Sequence, residues 1–254
     1  MKQICIDLNG DLGEIPGEQG RLSDRQLLQC VSSANIACGA HAGDADTMRQ
    51  TVVACKDLGV AIGSHPGYDD RKHFGRRPLS MPSTQIEDLV RRQIESLQAI
   101  AISQNAIVVH VKPHGALYNQ ASTSSEIASA ICRAVVAVDP TLRLFGRSGS
   151  RLLSVGKAHG LQTVSEVFCD RNYLPDGTLV SRDQANAIIT DPIVAANRLM
   201  QMIRTGKVAA IDGAPISVLP QTACLHGDHP NAIPFAQVFR KHLEDNQIAI
   251  SSGT

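Results

Sequence analysis

The chain has 254 residues, with 43% hydrophobic residues and 24 Lys plus Arg against 24 Asp plus Glu. A formal net charge of zero removes the electrostatic case for nucleic acid or an anionic membrane as the main partner, and lowers the barrier to docking with other subunits. The apolar fraction speaks against disorder, and the length suits one α/β barrel, so residues 1–254 read as a single domain.

In chain order, short β-branched runs at Ile4–Leu8, Ser33–Ala37, Val60–Gly63, Ile107–Val111, Leu142–Phe145, Gln162–Val167 and Thr222–Leu225 predict strands. Helical patterns lie between them. One runs from about Asp46 to Leu58 and stops at Gly59, a good C′ residue. Another has Thr84 and Glu87 at capping-box spacing, followed by Ile86, Leu89, Val90, Ile94, Leu97 and Ala101 on one face. A third starts near Asp191-Pro192 and ends at Gly206. Strands separated by helices imply parallel pairing with right-handed crossovers. Their nearly continuous apolar character implies burial on both faces. A closed barrel and a doubly wound open sheet both satisfy this pattern.

Polar residues at the strand ends decide between the two. The first strand leads into Asn9-Gly10-Asp11-Leu12-Gly13-Glu14, and the second carries Asn35 and leads to His41. The third ends at His65, and the fourth at Lys112-Pro113-His114-Gly115. The fifth leads into Gly146-Arg147-Ser148-Gly149, the sixth carries Glu166 and leads into Asp170-Arg171, and the seventh leads into His226-Gly227-Asp228. Such groups beside glycines after every strand favour the barrel, whose loops converge on one mouth. Asn9 and Asp11 share a face if the first strand persists. Lys112, at the end of a buried strand, is placed to bind an anion or carry a proton. Asp11 and Glu14 also read as caps, Arg171 as a structural ion pair, and Asp228 as an imidazole partner or a loop cap. His73, His159, His229 and His242 read as ordinary loop residues.

The seven cysteines, Cys5, Cys30, Cys38, Cys55, Cys132, Cys169 and Cys224, are odd in number and lack a Cys-x-x-Cys pair. That pattern favours reduced thiols in a cytosolic protein over disulfides or a zinc site. Asp7, Asp11 and Glu14 stand where a signal peptide needs an apolar stretch, and no apolar run is long enough to cross a bilayer. A cytoplasmic protein is expected. With no His-Glu-x-x-His and no His pair at helical spacing, a metal-free acid/base site is favoured over a metal site. Neither a P-loop nor a Gly-x-Gly-x-x-Gly fingerprint is present, so the sequence does not mark an ATP site on this chain.

Six blocks in order resemble the LamB/YcsF, or lactam-utilization, family: Asp7–Glu14, Ala34–Asp44, Gly63–Tyr68, Val111–Asn119, Glu166–Arg171 and Cys224–Asp228. Gly10 departs from the family pattern, where Cys or Ala is usual, and so does Ala40, where an aromatic is usual. The resemblance implies a glycoside hydrolase/deacetylase-like (β/α) barrel of seven strands. It also implies ATP-dependent cleavage of 5-oxo-L-proline to L-glutamate, completed by two further subunits, B and C. In the mechanism expected from lactam chemistry, Asp11 or Glu166 is the general base, and His65 or His114 protonates the ring nitrogen. Lys112 and N–H groups near Gly115 stabilise charge, while Arg171 or His41 holds the substrate carboxylate. Asn9, Asn35, His226 and Asp228 complete the expected substrate-binding set. A metal-dependent hydrolase of amides or acetylated sugars, and a non-catalytic scaffold, are the rival classes.

Overall fold

The computed structural model describes residues 4–225 and 232–253. In chain order the elements are β1 (Cys5–Leu12), α1 (Gly17–Leu28), β2 (Ser33–Ala37), α2 (Ala45–Leu58), β3 (Ala61–His65), α3 (Ser83–Ser103), β4 (Val108–Val111), α4 (Gly115–Ala121) and α5 (Ser125–Val138). There follow β5 (Arg143–Arg147), α6 (Arg151–Ala158), β6 (Thr163–Phe168), α7 (Pro192–Thr205), β7 (Lys207–Ala209), β8 (Pro215–Ser217), β9 (Thr222–Leu225), α8 (Ala232–Asp245) and β10 (Ala249–Ile250). The order β1-β2-β3-β4-β5-β6-β9 is parallel throughout, and β9 pairs back to β1 at Asn9↔Cys224. The seven strands therefore close into a barrel, and the open-sheet alternative is gone. The short β10 adds to the start of β1, and β7 and β8 form a separate antiparallel pair.

The helix boundaries follow local chemistry. Asp44 caps α2 by accepting from the Thr47 N–H at 2.8 Å, and Gly59 ends it in the left-handed region at φ 68°. Asp191 caps α7 in the same way, with Pro192 in the first turn and Gly206 at the end. The capping box expected at Thr84 does not form. Pro82 starts α3 instead, its carbonyl accepting from Gln85 and Ile86, so Thr84 already lies inside the helix. Glu87 accepts from Arg133 Nε at 2.7 Å and ties α3 to α5. The expected face of α3 is buried at Ile86, Val90, Ile94, Leu97 and Ala101, and Leu89 packs against its edge. Among the described residues no helix is long and apolar enough to cross a membrane.

β1 runs four residues beyond the expected strand. It carries through Asn9-Gly10-Asp11 because those polar groups find partners across the barrel instead of in solvent. Alternation divides the strand into two faces. Ile6, Leu8 and Leu12 are buried apolar positions, and a Cβ at Gly10 would meet Leu27 and Val31 near α1. The departure at Gly10 thus lies on the helix side, away from the barrel interior. Asp7, Asn9 and Asp11 face inward, and the interior is a polar stack. At the bottom, Asp7 accepts from Ser33 at 2.8 Å and Thr222 at 2.5 Å. Above it, His110 donates to Asn35 Oδ1 at 2.9 Å and stacks on Phe145, with ring centres 4.3 Å apart.

That ring fits only because residue 63 is glycine. A Cβ there would lie 2.0 Å from His110 Nε2, and the β3–β4 register slips at this point. Gly63→Ala should therefore cost about 1–3 kcal/mol, the usual penalty for overpacking a tight core. Urea denaturation measures it. A change below about 0.5 kcal/mol would mean that the ring has room to move.

Candidate functional site

Lys112 stands just past β4, its backbone N–H bonded to Ser64 O at 2.9 Å, and its side chain is only 3% exposed. The ammonium lies 2.9 Å from Asp11 Oδ1 and 2.9 Å from Glu166 Oε1. It also reaches Asn9 Oδ1 at 3.0 Å and Cys224 Sγ at 3.0 Å. Burial by itself pushes a lysine pKa down. Here the charges of Asp11 and Glu166 outweigh it, and the pKa is held well above the usual lysine value. The Cys224 thiol is pushed up by burial and remains protonated.

The neighbours of Lys112 are themselves fixed. Asn9 donates to Glu166 Oε1 at 3.0 Å and to Thr222 Oγ1 at 2.7 Å. Asn35 donates to both Asn9 Oδ1 and Asp11 Oδ1, at 2.7 and 2.8 Å, so Asn9 and Asp11 do share the inner face. Tyr118, in the first turns of α4, donates to Glu166 Oε2 at 2.5 Å. Burial and the Glu166 charge hold its phenol well above the usual range.

A second cluster adjoins the first. His65 Nδ1 bonds the Lys112 carbonyl at 2.7 Å, and His114 Nε2 bonds the Phe74 carbonyl at 2.8 Å. A carbonyl only accepts, so those two ring nitrogens carry the protons. His65 Nε2 and His114 Nδ1 then face each other at 3.0 Å. Glu14 Oε1 lies 3.4 Å from His114 Nδ1 and 3.4 Å from His41 Nε2. His41 lies flat on His114, with ring centres 3.7 Å apart and planes 2° from parallel. Burial pulls His65 and His114 down to about 3 and His41 down to about 2, so all three are neutral near pH 7.

A cavity of about 340 Å³ opens over both clusters. Asp11, His65, Lys112, His114 and Arg171, all expected at the site, line it. One wall comes from the irregular segment after β6, including Thr178–Arg182, and Arg76 and Arg147 also reach the cavity. Arg171 donates to the Val180 carbonyl at 2.5 Å, and its buried Nε makes no hydrogen bond among the described residues. Burial lowers its pKa to about 10, which leaves it charged near neutrality.

Several expected roles change. Glu166 is fully buried below the cavity, with one oxygen on Lys112 and Asn9 and the other on Tyr118. It braces Lys112 and is not placed to activate water. Asn9 and Asn35, expected to bind substrate, are equally enclosed: Asn35 donates to Asp11, and Asn9 accepts from Lys112. His41, expected to hold a substrate carboxylate, is buried behind His114 and does not line the cavity. His65 and His114, expected as proton donors, commit their protonated nitrogens to the backbone carbonyls of Lys112 and Phe74. His226 and Asp228 lie outside the described residues.

Glu14, which sequence reasoning left as a cap, and Tyr118, given no role there, belong to the site. Gly13, at φ 71°, turns the chain so that Glu14 returns to the mouth. Tyr118 was detectable as a tyrosine on a buried helix face, where its hydroxyl needs a partner.

The match to known proteins covers nearly the whole chain. The LamB/YcsF family model matches residues 6–254. The chain belongs to the LamB/YcsF family. A member from Shouchella clausii (strain KSM-K16), named as the A-subunit of 5-oxoprolinase, is 46% identical over 249 residues, covering 98% of each chain. The lactam utilization protein of Thermus thermophilus is 38% identical, with a TM-score of 0.90 over 98% of this chain and 100% of that one. T48 deacetylase, solved with substrate, matches at a TM-score of 0.51 and 15% identity, covering 98% of this chain and 87% of that one; this likeness concerns the fold alone.

Within this LamB/YcsF barrel, removing the ammonium leaves two buried carboxylates facing each other. Lys112→Met should destabilise the protein by about 3–5 kcal/mol near pH 7. The folded lysine pKa is raised, so its stabilisation is fully present below the unfolded value of about 10.4 and is lost only above it. In the variant the two carboxylates have lost the shared ammonium, a cost that fades as they take up protons, so the deficit should shrink as pH falls toward about 4. Urea denaturation across that range measures it, and a pH-independent deficit would contradict the pairing.

Proposed function

We propose that this chain is the A-subunit of an ATP-dependent 5-oxoprolinase, which cleaves the lactam C–N bond of 5-oxo-L-proline to give L-glutamate together with subunits B and C. The observation that carries this reading is the 46% identity, over nearly the full length of both chains, to a protein named as the 5-oxoprolinase A-subunit. The cavity offers chemistry of the right kind: a carboxylate, a fixed ammonium and a guanidinium on one surface.

A five-membered lactam is a stable amide, and ring closure competes with its hydrolysis. Phosphorylation of the amide oxygen by ATP makes the ring carbon electrophilic. With no P-loop in this chain, that step is assigned to the partner subunits. In the barrel, water adds to the activated carbon and the C–N bond breaks as the nitrogen gains a proton. A second water hydrolyses the resulting acyl phosphate, so glutamate, ADP and phosphate balance lactam, ATP and two waters.

Asp11 is the general base. It faces the cavity, accepts the proton of the attacking water and returns it to the ring nitrogen. This replaces the proton donor expected at His65 or His114. Lys112 stabilises the negative charge that builds on the tetrahedral carbon's oxygen, at no reorganisation cost because Glu166 and Asn9 already hold it. Arg171 receives the substrate carboxylate, with its Nε available for a second hydrogen bond.

The test mixes this protein with candidate B and C subunits, ATP and 5-oxoproline, omits each component in turn, and measures glutamate. Every component should be required. Asp11→Asn should lower turnover by about 10²–10⁴-fold with an unchanged circular dichroism spectrum. Near-normal turnover in that variant would remove Asp11 from the mechanism.

A further inference from the structure

Glu14, His41, His65 and His114 arrive from the ends of four different strands. One ligand atom from each lies within 4.8 Å of all the others, and all four residues are buried. The two carbonyl bonds described above fix the imidazole tautomers, with the proton on His65 Nδ1 and on His114 Nε2. The nitrogens that face each other, His65 Nε2 and His114 Nδ1, therefore both present lone pairs across 3.0 Å. Neither can donate to the other. The Glu14 carboxylate oxygen adds a third acceptor, 3.4 Å from His114 Nδ1 and 4.0 Å from His65 Nε2. The two imidazole lone pairs, pointed at each other across 3.0 Å, repel unless something positive sits between them.

The spacing suits a metal ion. Tetrahedral zinc with ligand bonds of about 2.0–2.1 Å places its donors about 3.3–3.4 Å apart. The three observed separations, 3.0, 3.4 and 4.0 Å, bracket that value. The rings of His65 and His114 stand 85° apart, so their in-plane lone pairs can converge on one point. His41 is different. Its ring is parallel to that of His114, and two parallel stacked rings cannot both aim in-plane lone pairs at one ion. Glu14, His65 and His114 also line the cavity, whereas His41 does not.

We propose that Glu14 Oε1, His65 Nε2 and His114 Nδ1 form a divalent-cation site of the zinc type, with its remaining position open to the cavity and His41 packed behind it. The donor set of two imidazoles and one carboxylate suits a borderline-soft ion such as Zn²⁺. The backbone carbonyls of Lys112 and Phe74 are the outer partners that hold the two ligating rings in place. Cation binding here is independent of the 5-oxoprolinase reading and implies no step of that reaction.

The test uses full-length protein stripped of metal with a chelator and titrated with Zn²⁺. Calorimetry and elemental analysis should give one equivalent per chain. X-ray absorption of the zinc-loaded wild type should show two imidazole ligands, and this needs no variant. Glu14→Gln and His65→Ala should each weaken zinc affinity by about 100-fold or more, while His41→Ala should keep one equivalent. Circular dichroism checks that each variant is folded. Failure of the wild type to take up one equivalent, or zinc bound without imidazole ligands, would overturn the site. So would a folded His65→Ala/His114→Ala variant that binds zinc as tightly as the wild type.

Discussion

The mouth of this barrel is organised around one buried ammonium. Lys112 meets carboxylates from β1 and β6, the amide oxygen of Asn9 and a thiol from β9. A charge in that position is costly unless it is fully paired. Every neighbour therefore has to arrive at a fixed place. Asn35 orients Asp11 and Asn9, Asn9 and Tyr118 orient Glu166, and Thr222 links Asn9 to Asp7 below. The strands are joined through side chains as well as through their backbone ladders.

The barrel divides its labour accordingly. Apolar packing lies between strands and helices, as Ile6, Leu8 and Leu12 show on β1, while the interior is given over to hydrogen bonds. A polar interior of this kind fixes geometry more than it adds stability. The groups left facing the cavity, Asp11, Lys112 and Arg171, are then held without needing a ligand to order them. Preorganisation of this sort is what electrostatic stabilisation of a reacting centre requires. The histidine cluster beside it is held by different means, through carbonyl bonds and ring stacking, and presents lone pairs instead of protons.

Much of this was legible from the residues. The seven strand runs and the polar residues after them were enough to choose a closed barrel, because titratable groups after every strand make sense only if the strand ends share a rim. Asp44, Gly59, Asp191 and Gly206 marked helix ends because capping is local chemistry. The depth of each side chain was not legible. Asn9, Asn35 and Glu166 look like ligand-binding groups in a linear sequence, and only the folded barrel shows that they are fully buried and bonded to Asp11 and Lys112 while the cavity is lined by others. The imidazole tautomers were equally hidden, since they depend on carbonyls of Lys112 and of the distant Phe74. The wall contributed by the segment after β6 carries no periodic pattern that sequence reading could use.

Whether Lys112 is a charged ammonium inside the barrel can be measured directly, and the order of the whole mouth depends on it. Nitrogen-15 NMR of labelled lysine side chains, followed as a function of pH, reports the protonation state of its Nζ. The signal should stay that of an ammonium through neutrality and up to about pH 10, the range of an ordinary lysine or above. A Lys112 signal that loses its proton below about pH 8 would contradict this picture, because burial would then have won over the two carboxylates.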